Sequence, residues 1–394
     1  MIKKLCITCL MVLLVMLMLP LPAWAANSSE DKPVFSFQDA VKNLDLDALE
    51  EYKGSVDGEI NTYMNGKTVS ELLVDFVKGD WEFDIKELGS NLFKFLFKEI
   101  VANSSLLGKL LVLSVLAALL VNLQTAFSSG VAQISYMACF LALAAIALGS
   151  FKVVLAIGQQ TIDNMVSFMM AMLPQMLVLT AGLGNLHSSA VLFPILMTVS
   201  TAFANAIKNI VFPLIILSAI LSLLNHMSNG LKVERMSKFF GQMAQISLGL
   251  FLSIFVGFVT LRALYASVLD KVALRTTKFI TDNAIPVVGK MFSDTIEVAA
   301  GYVVMIKQAL GILGVLIVFS IIIFPLLKVA ALALIYKVTA AIVEPLGDAK
   351  TAAILDTMSS HLFLMLAAVA SVGLMFFIMI AIVAGMSNGV NALR

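Results

Sequence analysis

Residues 206–227 read AIKNIVFPLIILSAILSLLNHM, an almost wholly apolar stretch with a proline at position 213. The same Phe-Pro string recurs at positions 193–194 and 324–325, in two other apolar stretches. Proline lacks a backbone N–H, and a helix tolerates it best in its first turn. The first two strings lie early in their apolar runs and the third lies late. We therefore predict that the strings mark the ends of paired helices, with residues 190–227 forming a compact re-crossing of a membrane.

The composition supports a membrane protein. Hydrophobic residues make up 60% of the chain and charged residues only 13%. Soluble domains average about 45–50% apolar and about 25% charged residues. Because one ordinary core cannot bury this excess, the sequence predicts an all-α, polytopic membrane protein.

Nine apolar runs approach the length of a membrane span. A span needs about 20 residues, and two of the runs are short: residues 163–181, which contain Pro174, and residues 328–343, which contain Lys337. Either of these two could be re-entrant or interfacial, so the sequence predicts seven to nine spans. The runs are 106–126, 131–156, 163–181, 190–207, 209–227, 243–264, 302–327, 328–343 and 362–385.

The N-terminus has the pattern of an export signal. Lys3 and Lys4 precede an apolar segment, and Ala23-Trp24-Ala25 forms an A-x-A cleavage pattern. We predict a cleaved signal peptide at residues 1–25, with an uncleaved first transmembrane helix as the alternative.

An acidic segment follows the signal. Residues 27–100 contain sixteen acidic residues against eight lysines, a net charge of −8. Residues 26–102 are predicted to be extracytosolic and helical, and residues 85–102 to form an amphipathic helix that leads into the bilayer. The acidic surface argues against nucleic acid as a partner, since nucleic-acid binding needs a basic footprint.

Charge also orients the spans. The basic loop at residues 231–238 is predicted to be cytoplasmic by the positive-inside rule. Residues 262–300 are the most polar part of the chain after residue 100. They predict an amphipathic helix on the membrane surface or against a partner, stopped by Pro286, with Asp294 capping the next helix.

Small residues recur every four positions in two places. This spacing puts them on one face of a helix, where a neighbouring helix can approach closely. Packing within the chain is one explanation, and homo- or hetero-oligomerisation is the alternative. The predicted assembly faces are Gly241, Gln245, Gly249, Ser253 and Gly257 in one span, and Ala381, Gly385 and Gly389 near the C-terminus.

Few polar residues are candidates for a site inside the membrane. Lys307 and Gln308 are predicted to lie inside a span, and Lys337 and Glu344 are seven residues apart and so share a helix face. Ion-coupled transporters usually place a carboxylate deep in a span, and no span here has a central one.

The sequence lacks the short motifs of common enzymes. The mature chain has no nucleophile elbow, P-loop, zinc-protease or C-x-x-C pattern, and its histidines lie far apart at positions 187, 226 and 361. We expect each histidine to be an interfacial polar cap. We therefore expect no enzyme activity, no catalytic residues, no metal and no cofactor.

Three stretches and the order of the segments resemble one family. The stretches are FITDNAIPVVG at 279–289, DTIEVAAG at 294–301 and AIKNIVFPL at 206–214. Together with the signal, the acidic segment and the order of spans, they resemble the stage III sporulation protein AE family of endospore-forming bacteria. The resemblance covers essentially the whole chain.

This resemblance implies a function that residue chemistry does not. Members of the family belong to an eight-protein assembly, AA–AH, in the mother-cell membrane that surrounds the forespore. With a forespore partner, the assembly is thought to form a channel or secretion-like conduit needed for late forespore development. The polar segments would then face the space between the two forespore membranes. The family supplies no catalytic residues to assign.

The expected organisation has five parts: a signal peptide at 1–25, an acidic helical segment at 26–102, a first membrane bundle at 103–264, an amphipathic extracytosolic segment at 265–300 and a second membrane bundle at 301–394. The expected function is a non-enzymatic membrane subunit of the sporulation complex. A stand-alone secondary transporter and a passive scaffold are the alternatives.

Overall fold

The computed structural model describes residues 85–127, 130–182, 186–227, 232–284 and 288–385. These residues belong to one unit of the chain and are helical almost throughout. The predicted signal peptide and most of the acidic segment lie outside the described residues. The α-helices are α1 (Ile85–Ala102), α2 (Ser104–Phe127), α3 (Gly130–Gly182), α4 (Leu186–Ala206), α5 (Phe212–Met227), α6 (Glu234–Ala284), α7 (Val288–Val343) and α8 (Ala349–Gly385).

The first helix confirms the predicted amphipathic segment at residues 85–102. Phe93, Phe97 and Val101 form an exposed apolar row, and the rings of Phe93 and Phe97 lie 5.1 Å apart. On another side of the helix, Phe95 is buried edge-to-face against Phe324 of α7, at 4.9 Å between ring centroids. Helix α1 is therefore held on the bundle and still presents an apolar face outward.

Six helical stretches of the described chain are long and apolar enough to span a membrane, which is fewer than the seven to nine predicted. The apolar part of α3 alone runs over 47 residues, Ile134–Thr180. At 1.5 Å per residue it is about 70 Å long, more than twice the ~30 Å of a bilayer core. The number of spans is lower than predicted because pairs of predicted spans, such as 131–156 with 163–181, are joined in single helices.

The prolines do not end helices, so the prediction that the Phe-Pro strings punctuate helix pairs is wrong. Pro174, Pro194 and Pro325 lie inside α3, α4 and α7. Before Pro213 the chain widens into a π-helical turn, Ile207–Val211, in which the Phe212 N–H donates to the Ile207 carbonyl. Such a wider turn is one way to accommodate a proline without breaking the helix. Residues 190–227 are therefore one helical rod rather than a re-crossing.

The polar segment at 262–300 also differs from its prediction. Residues 262–284 continue α6 without a break instead of forming a separate surface helix. Helix α7 begins at Val288, so Asp294 lies inside the helix and is not its N-cap. The capping pattern at Asp294 therefore does not mark a helix start, because α7 already begins six residues earlier.

The core is built from α3, α7 and α8. Helices α3 and α8 run parallel: Tyr136 meets Asp348, and fifteen residues further along α3 the ring of Phe151 lies 6.4 Å from that of His361. Helix α7 runs antiparallel to both. One apolar core cluster extends along these helices and includes residues of both predicted membrane bundles. The predicted domain boundaries themselves stay a prediction.

Glycines let the three core helices approach one another. A Cβ placed on Gly311 would lie 2.6 Å from the Cβ of Ala384, and one on Gly314 would lie 2.2 Å from the Met172 side chain. On α8, a Cβ on Gly373 would lie 2.3 Å from Ile322. A larger residue at Gly311 would push α7 and α8 apart, whereas at Gly314 or Gly373 the Met172 or Ile322 side chain would first have to move.

The turn between α7 and α8 is tied down by polar contacts. Gly347 has φ +93°, a left-handed conformation that glycine adopts at no steric cost. Asp348 then caps α8, because its carboxylate accepts from the backbone N–H of Thr351 at 3.1 Å and from the Thr351 hydroxyl. Tyr136 of α3 also donates to this carboxylate, at 3.4 Å. The cap therefore joins the turn to the core.

Candidate functional site: a polar layer across the bundle

A layer of polar side chains crosses the apolar bundle partway along its length. We call it the central polar layer and define it as Ser150 of α3, Ser218 of α5, Ser237 of α6, Tyr336 of α7, and Ser359 and His361 of α8.

The first part of the layer joins α3 to α7. Tyr336 is fully buried, and its hydroxyl donates to the Ser150 Oγ at 2.8 Å. Ser150 in turn donates to the Ile146 carbonyl of its own helix at 3.1 Å. A buried tyrosine hydroxyl needs such a partner, because an unpaired one would cost free energy. This pair fixes the register of α3 against α7.

The second part joins α7 to α8. The Ser359 hydroxyl, fully buried, donates to the Ala333 carbonyl at 2.8 Å. At the same level, on the outside of the bundle, Lys337 forms an ion pair with Asp356. This contact therefore has a buried hydrogen bond in its interior and an ion pair at its outer edge.

The third part joins α5, α6 and α8. Ser218 and Ser237 bond reciprocally: each hydroxyl donates to the other's backbone carbonyl, at 2.7 and 2.8 Å. The His361 Nε2 lies 2.9 Å from the Ser218 Oγ. Gly241 leaves room for this contact, since a Cβ there would lie 3.0 Å from the same hydroxyl. Ser218 is therefore the point at which three helices meet.

The protons of this junction can be counted. The His361 Nδ1 lies 2.8 Å from the Thr357 carbonyl, so this nitrogen carries the proton and donates it. In a neutral ring Nε2 then accepts, and the single Ser218 proton can serve either Nε2 or the Ser237 carbonyl. A protonated ring would donate from both nitrogens and leave the Ser218 proton for that carbonyl. The chemistry that the junction offers is thus hydrogen bonding with one mobile proton.

The predicted intramembrane residues do not form one site. Lys307 is fully buried, while the adjacent Gln308 is exposed on α7. Lys337 lies 30 residues further along the same helix, about 45 Å away. It pairs with Asp356 rather than with Glu344, which lies exposed in the short 3-10 turn Glu344–Leu346. In the described part of the chain no three His, Cys, Asp or Glu residues come together as a metal site would require.

The predicted assembly face of α6 is mostly uncovered. Of the three glycines on this face, Gly241 alone packs closely against residues in the described part of the chain. A Cβ on Gly249 or Gly257 would meet no atom within 4 Å, and Ser253 is exposed. Gln245 is half-buried. The buried row of α6 is instead the neighbouring one, formed by Ala244, Leu248, Phe255 and Val259.

The second predicted assembly face, near the C-terminus, lies only partly within the described residues. Ala381 is exposed, Gly385 is the last residue of α8 and Gly389 lies outside the described residues. The close approach on this part of α8 is made by Ala384 against Gly311. The role of both small-residue faces stays a prediction.

Sequence reasoning missed the central polar layer. Ser218, Ser237 and Ser359 are isolated serines in apolar helices, and no spacing relates them. His361 was expected to be an interfacial cap but lies well inside α8 and contacts α5. The sequence carries one usable signal, that Tyr336 lies in a mainly apolar run and must find a partner for its hydroxyl.

A second polar contact lies further along α3, beyond the layer. Asp163 and Lys208 form an ion pair at 2.6 Å, and Lys208 belongs to the π-helical turn. Nearby, Gln160 donates to Asn164 at 2.9 Å. These side chains divide the apolar length of α3 into two parts, which is why the sequence suggested two spans there.

Comparison with known proteins agrees with the resemblance. Residues 67–387 match the family model of stage III sporulation protein AE. The chain is also 38% identical over 317 residues to the stage III sporulation protein AE of Bacillus subtilis (strain 168), covering 80% of this chain and 79% of that protein. No solved structure matches the chain. The match covers the described helices, and the chain therefore belongs to the stage III sporulation protein AE family, a family of sporulation proteins, here with several apolar helices suited to a membrane.

Proposed function

We propose that this chain is a non-enzymatic, multi-pass membrane subunit of the AA–AH complex that links mother cell and forespore. In this proposal it lies in the mother-cell-derived outer forespore membrane. Its N-terminal segment faces the space between the two forespore membranes. Its partners are other membrane subunits of the complex, and the assembly is required for late forespore development.

The observation that carries the proposal is the uncovered small-residue face of α6. Gly249, Ser253 and Gly257 follow one another at four-residue intervals, and none of the residues that the structure describes lies against either glycine. In a membrane, helices associate through small residues because their backbones can approach closely there. The face therefore suits a helix from another subunit, and a second copy of this chain is the homo-oligomeric form of the same contact.

The peripheral position of α6 supports the same conclusion. Only 22% of its most apolar window is buried within the chain, against 61% for α8. Large apolar side chains flank the glycines on the outer side, among them Ile246, Leu250 and Ile254. These could face lipid, but a small-residue row beside them gives a partner helix a groove of defined position.

The test substitutes Gly249→Leu and Gly257→Leu together in sporulating cells and measures co-purification of other membrane proteins with this chain. We expect a folded, membrane-inserted protein that loses its partners and fails in sporulation. The matched control is Gly108→Leu in α2, where a Cβ also meets no atom within 4 Å. The proposal fails if the wild-type protein extracted from sporulating cells runs as a lone monomer.

The buried Lys307 motivates one alternative, a stand-alone transporter, because an ionisable residue inside a span often marks a transport path. Purified protein in vesicles would then move a solute without partners, and Lys307→Met would abolish that movement. Water-soluble thiol reagents applied to cysteines at positions 245, 307 and 308 separate a conduit from a scaffold. Labelling supports a conduit, whereas complete protection supports a scaffold.

A further inference from the structure

A groove opens on the bundle where α2, α3 and α7 meet. It has a volume of about 300 Å³ and lies beside the central polar layer. Its lining consists of Asn103, Leu106 and Lys109 near the start of α2, Ile146, Gly149, Ser150 and Val153 of α3, and Leu332 of α7.

Gly149 borders the open part of the groove. A Cβ on Gly149 would meet no atom within 4 Å, so this part of α3 leaves space that no neighbouring helix fills. The Ser150 hydroxyl, which also lines the groove, is already engaged by Tyr336. The remaining surface of the α3 wall is apolar.

The opposite wall carries a positive charge. Lys109 is exposed, and no acidic side chain pairs with it within the described ranges. Asn103 lies nearby, where α1 gives way to α2. Its side-chain amide donates to the Glu99 carbonyl at 2.8 Å, so its amide oxygen is directed elsewhere. The groove is therefore apolar along its length and cationic at one side.

Helices α1 and α2, beside the groove, present an exposed apolar row. The exposed row Phe93, Phe97 and Val101 of α1 continues on α2 as Val112, Leu116 and Leu119. Lys109 is exposed and lies three residues before Val112 and seven before Leu116, so it shares their face of α2. A lysine in this setting can extend its charge to a headgroup while its stem stays in apolar surroundings.

The lining of the groove suits a thin, apolar occupant. Its walls come from α2, α3 and α7, and they are apolar apart from Asn103, Lys109 and Ser150. A hydrocarbon chain can lie along such walls without leaving a polar group of its own unpaired.

We propose that this groove binds an anionic phospholipid. The headgroup phosphate lies at Lys109, and one acyl chain runs past Gly149 between Leu106, Val153 and Leu332. Attraction between the phosphate and the ammonium group selects anionic lipids, and burial of the chain provides the rest of the affinity. The site holds whether or not the chain assembles with other subunits, so its test is independent of the proposed function.

The experiment measures lipid retention by the full chain in detergent, using native mass spectrometry. Phosphatidylglycerol is compared with phosphatidylcholine of the same acyl chains. The variants are Lys109→Gln, which removes the charge, and Gly149→Leu, which fills the groove. The matched controls are Lys152→Gln, an exposed lysine outside the groove, and Gly89→Leu, another glycine in open space. Gly149→Ala replaces Gly149→Leu if the larger variant does not fold.

The wild-type chain is expected to retain phosphatidylglycerol about fivefold better than phosphatidylcholine, since one basic residue near a lipid surface is worth ≈ 1 kcal/mol. Lys109→Gln should remove this preference, Gly149→Leu should reduce retention of both lipids, and the controls should match wild type. Equal retention of the two lipids by wild type overturns the proposal, as does an unchanged preference in Lys109→Gln.

Two further outcomes would identify a different occupant. Competition by glycerol phosphate as strong as that by the lipid would reveal a simple anion site and also overturn the proposal. So would cross-linking of a cysteine at position 149 to residues 26–84, which would make that segment the occupant.

Discussion

Two sets of glycines in this protein have opposite surroundings. Gly311, Gly314 and Gly373 lie where α7 meets α3 and α8, and a Cβ at any of them would be 2.2–2.6 Å from a neighbouring side chain. Gly249 and Gly257 of α6 have no neighbouring atom within 4 Å of the same position. Both sets lie in apolar helices. The first set determines how the chain packs on itself, and the second is available to something outside it.

The difference teaches that hydropathy does not reveal which helix is central. The most apolar windows of α2 and α3 have the same mean hydropathy, 2.3, yet 22% of the first and 39% of the second is buried. A lipid-facing helix and a central helix are both apolar, because lipid tails and protein cores reject polar groups alike. Substitutions that act on one set of glycines and not on the other test this distinction.

The largest effect is expected from Gly311→Leu. The rigid Ala384 Cβ cannot move away as the end of a flexible side chain could, so α7 and α8 must separate, at a cost of about 3 kcal/mol. The free energy of unfolding in mixed micelles measures this cost. Gly257→Leu is the control and should stay within about 0.5 kcal/mol of wild type. Equal losses in the two variants would remove the distinction between the two sets.

A smaller effect is expected from Ser218→Ala, which removes the hydroxyl shared by α5, α6 and α8. The Ser237 carbonyl loses its donor and the His361 Nε2 loses its contact, which should cost about 1–2 kcal/mol. The free energy of unfolding in mixed micelles again measures this cost. Thr198→Ala is the control, because the Thr198 hydroxyl is exposed and bonds only to the Pro194 carbonyl of its own helix. If Thr198→Ala destabilises as much as Ser218→Ala, the central polar layer has no special role in stability.

The smallest effects concern the two ion pairs. The Lys208 side chain is 24% exposed and Asp163 51%, whereas Lys337 and Asp356 are 54% and 47% exposed, so the two pairs differ chiefly in the burial of the lysine. We expect coupling energies of about 1 kcal/mol for the first pair and less than about 0.5 kcal/mol for the second, because exposed pairs are screened by water. Double-mutant cycles with Asp163→Asn and Lys208→Gln, and with Asp356→Asn and Lys337→Gln, measure both. A larger coupling energy for Lys337 with Asp356 than for Lys208 with Asp163 would contradict this ranking.

Much of the fold could be predicted from local patterns. The amphipathic helix at 85–102 was predicted with the bounds that the structure has, because its apolar row and flanking charges lie within one short segment. The apolar runs were found for the same reason. The number of spans was overestimated where polar residues such as Asp163 and Lys208 interrupt a run, because these two satisfy each other across helices and neither helix has to end.

The candidate site was far less predictable. Regular spacing identifies Gly249 and Gly257 as candidates, and charge identifies Lys307, since both features can be seen within one helix. The central polar layer has no such feature. Ser150, Tyr336 and Ser218 lie in three helices far apart in sequence, and only the packing of those helices aligns their hydroxyls.

The sequence alone determined that this protein is helical, apolar and suited to a membrane, and its match over residues 67–387 determined its family. Both depend on residue types and their order along the chain. Tertiary structure decided which glycines are covered, that Pro213 follows a π-helical turn instead of a helix end, and that Ser218 joins three helices. These features depend on which helices become neighbours. Packing across the whole bundle decides that, because each apolar pattern taken alone is compatible with several neighbouring helices.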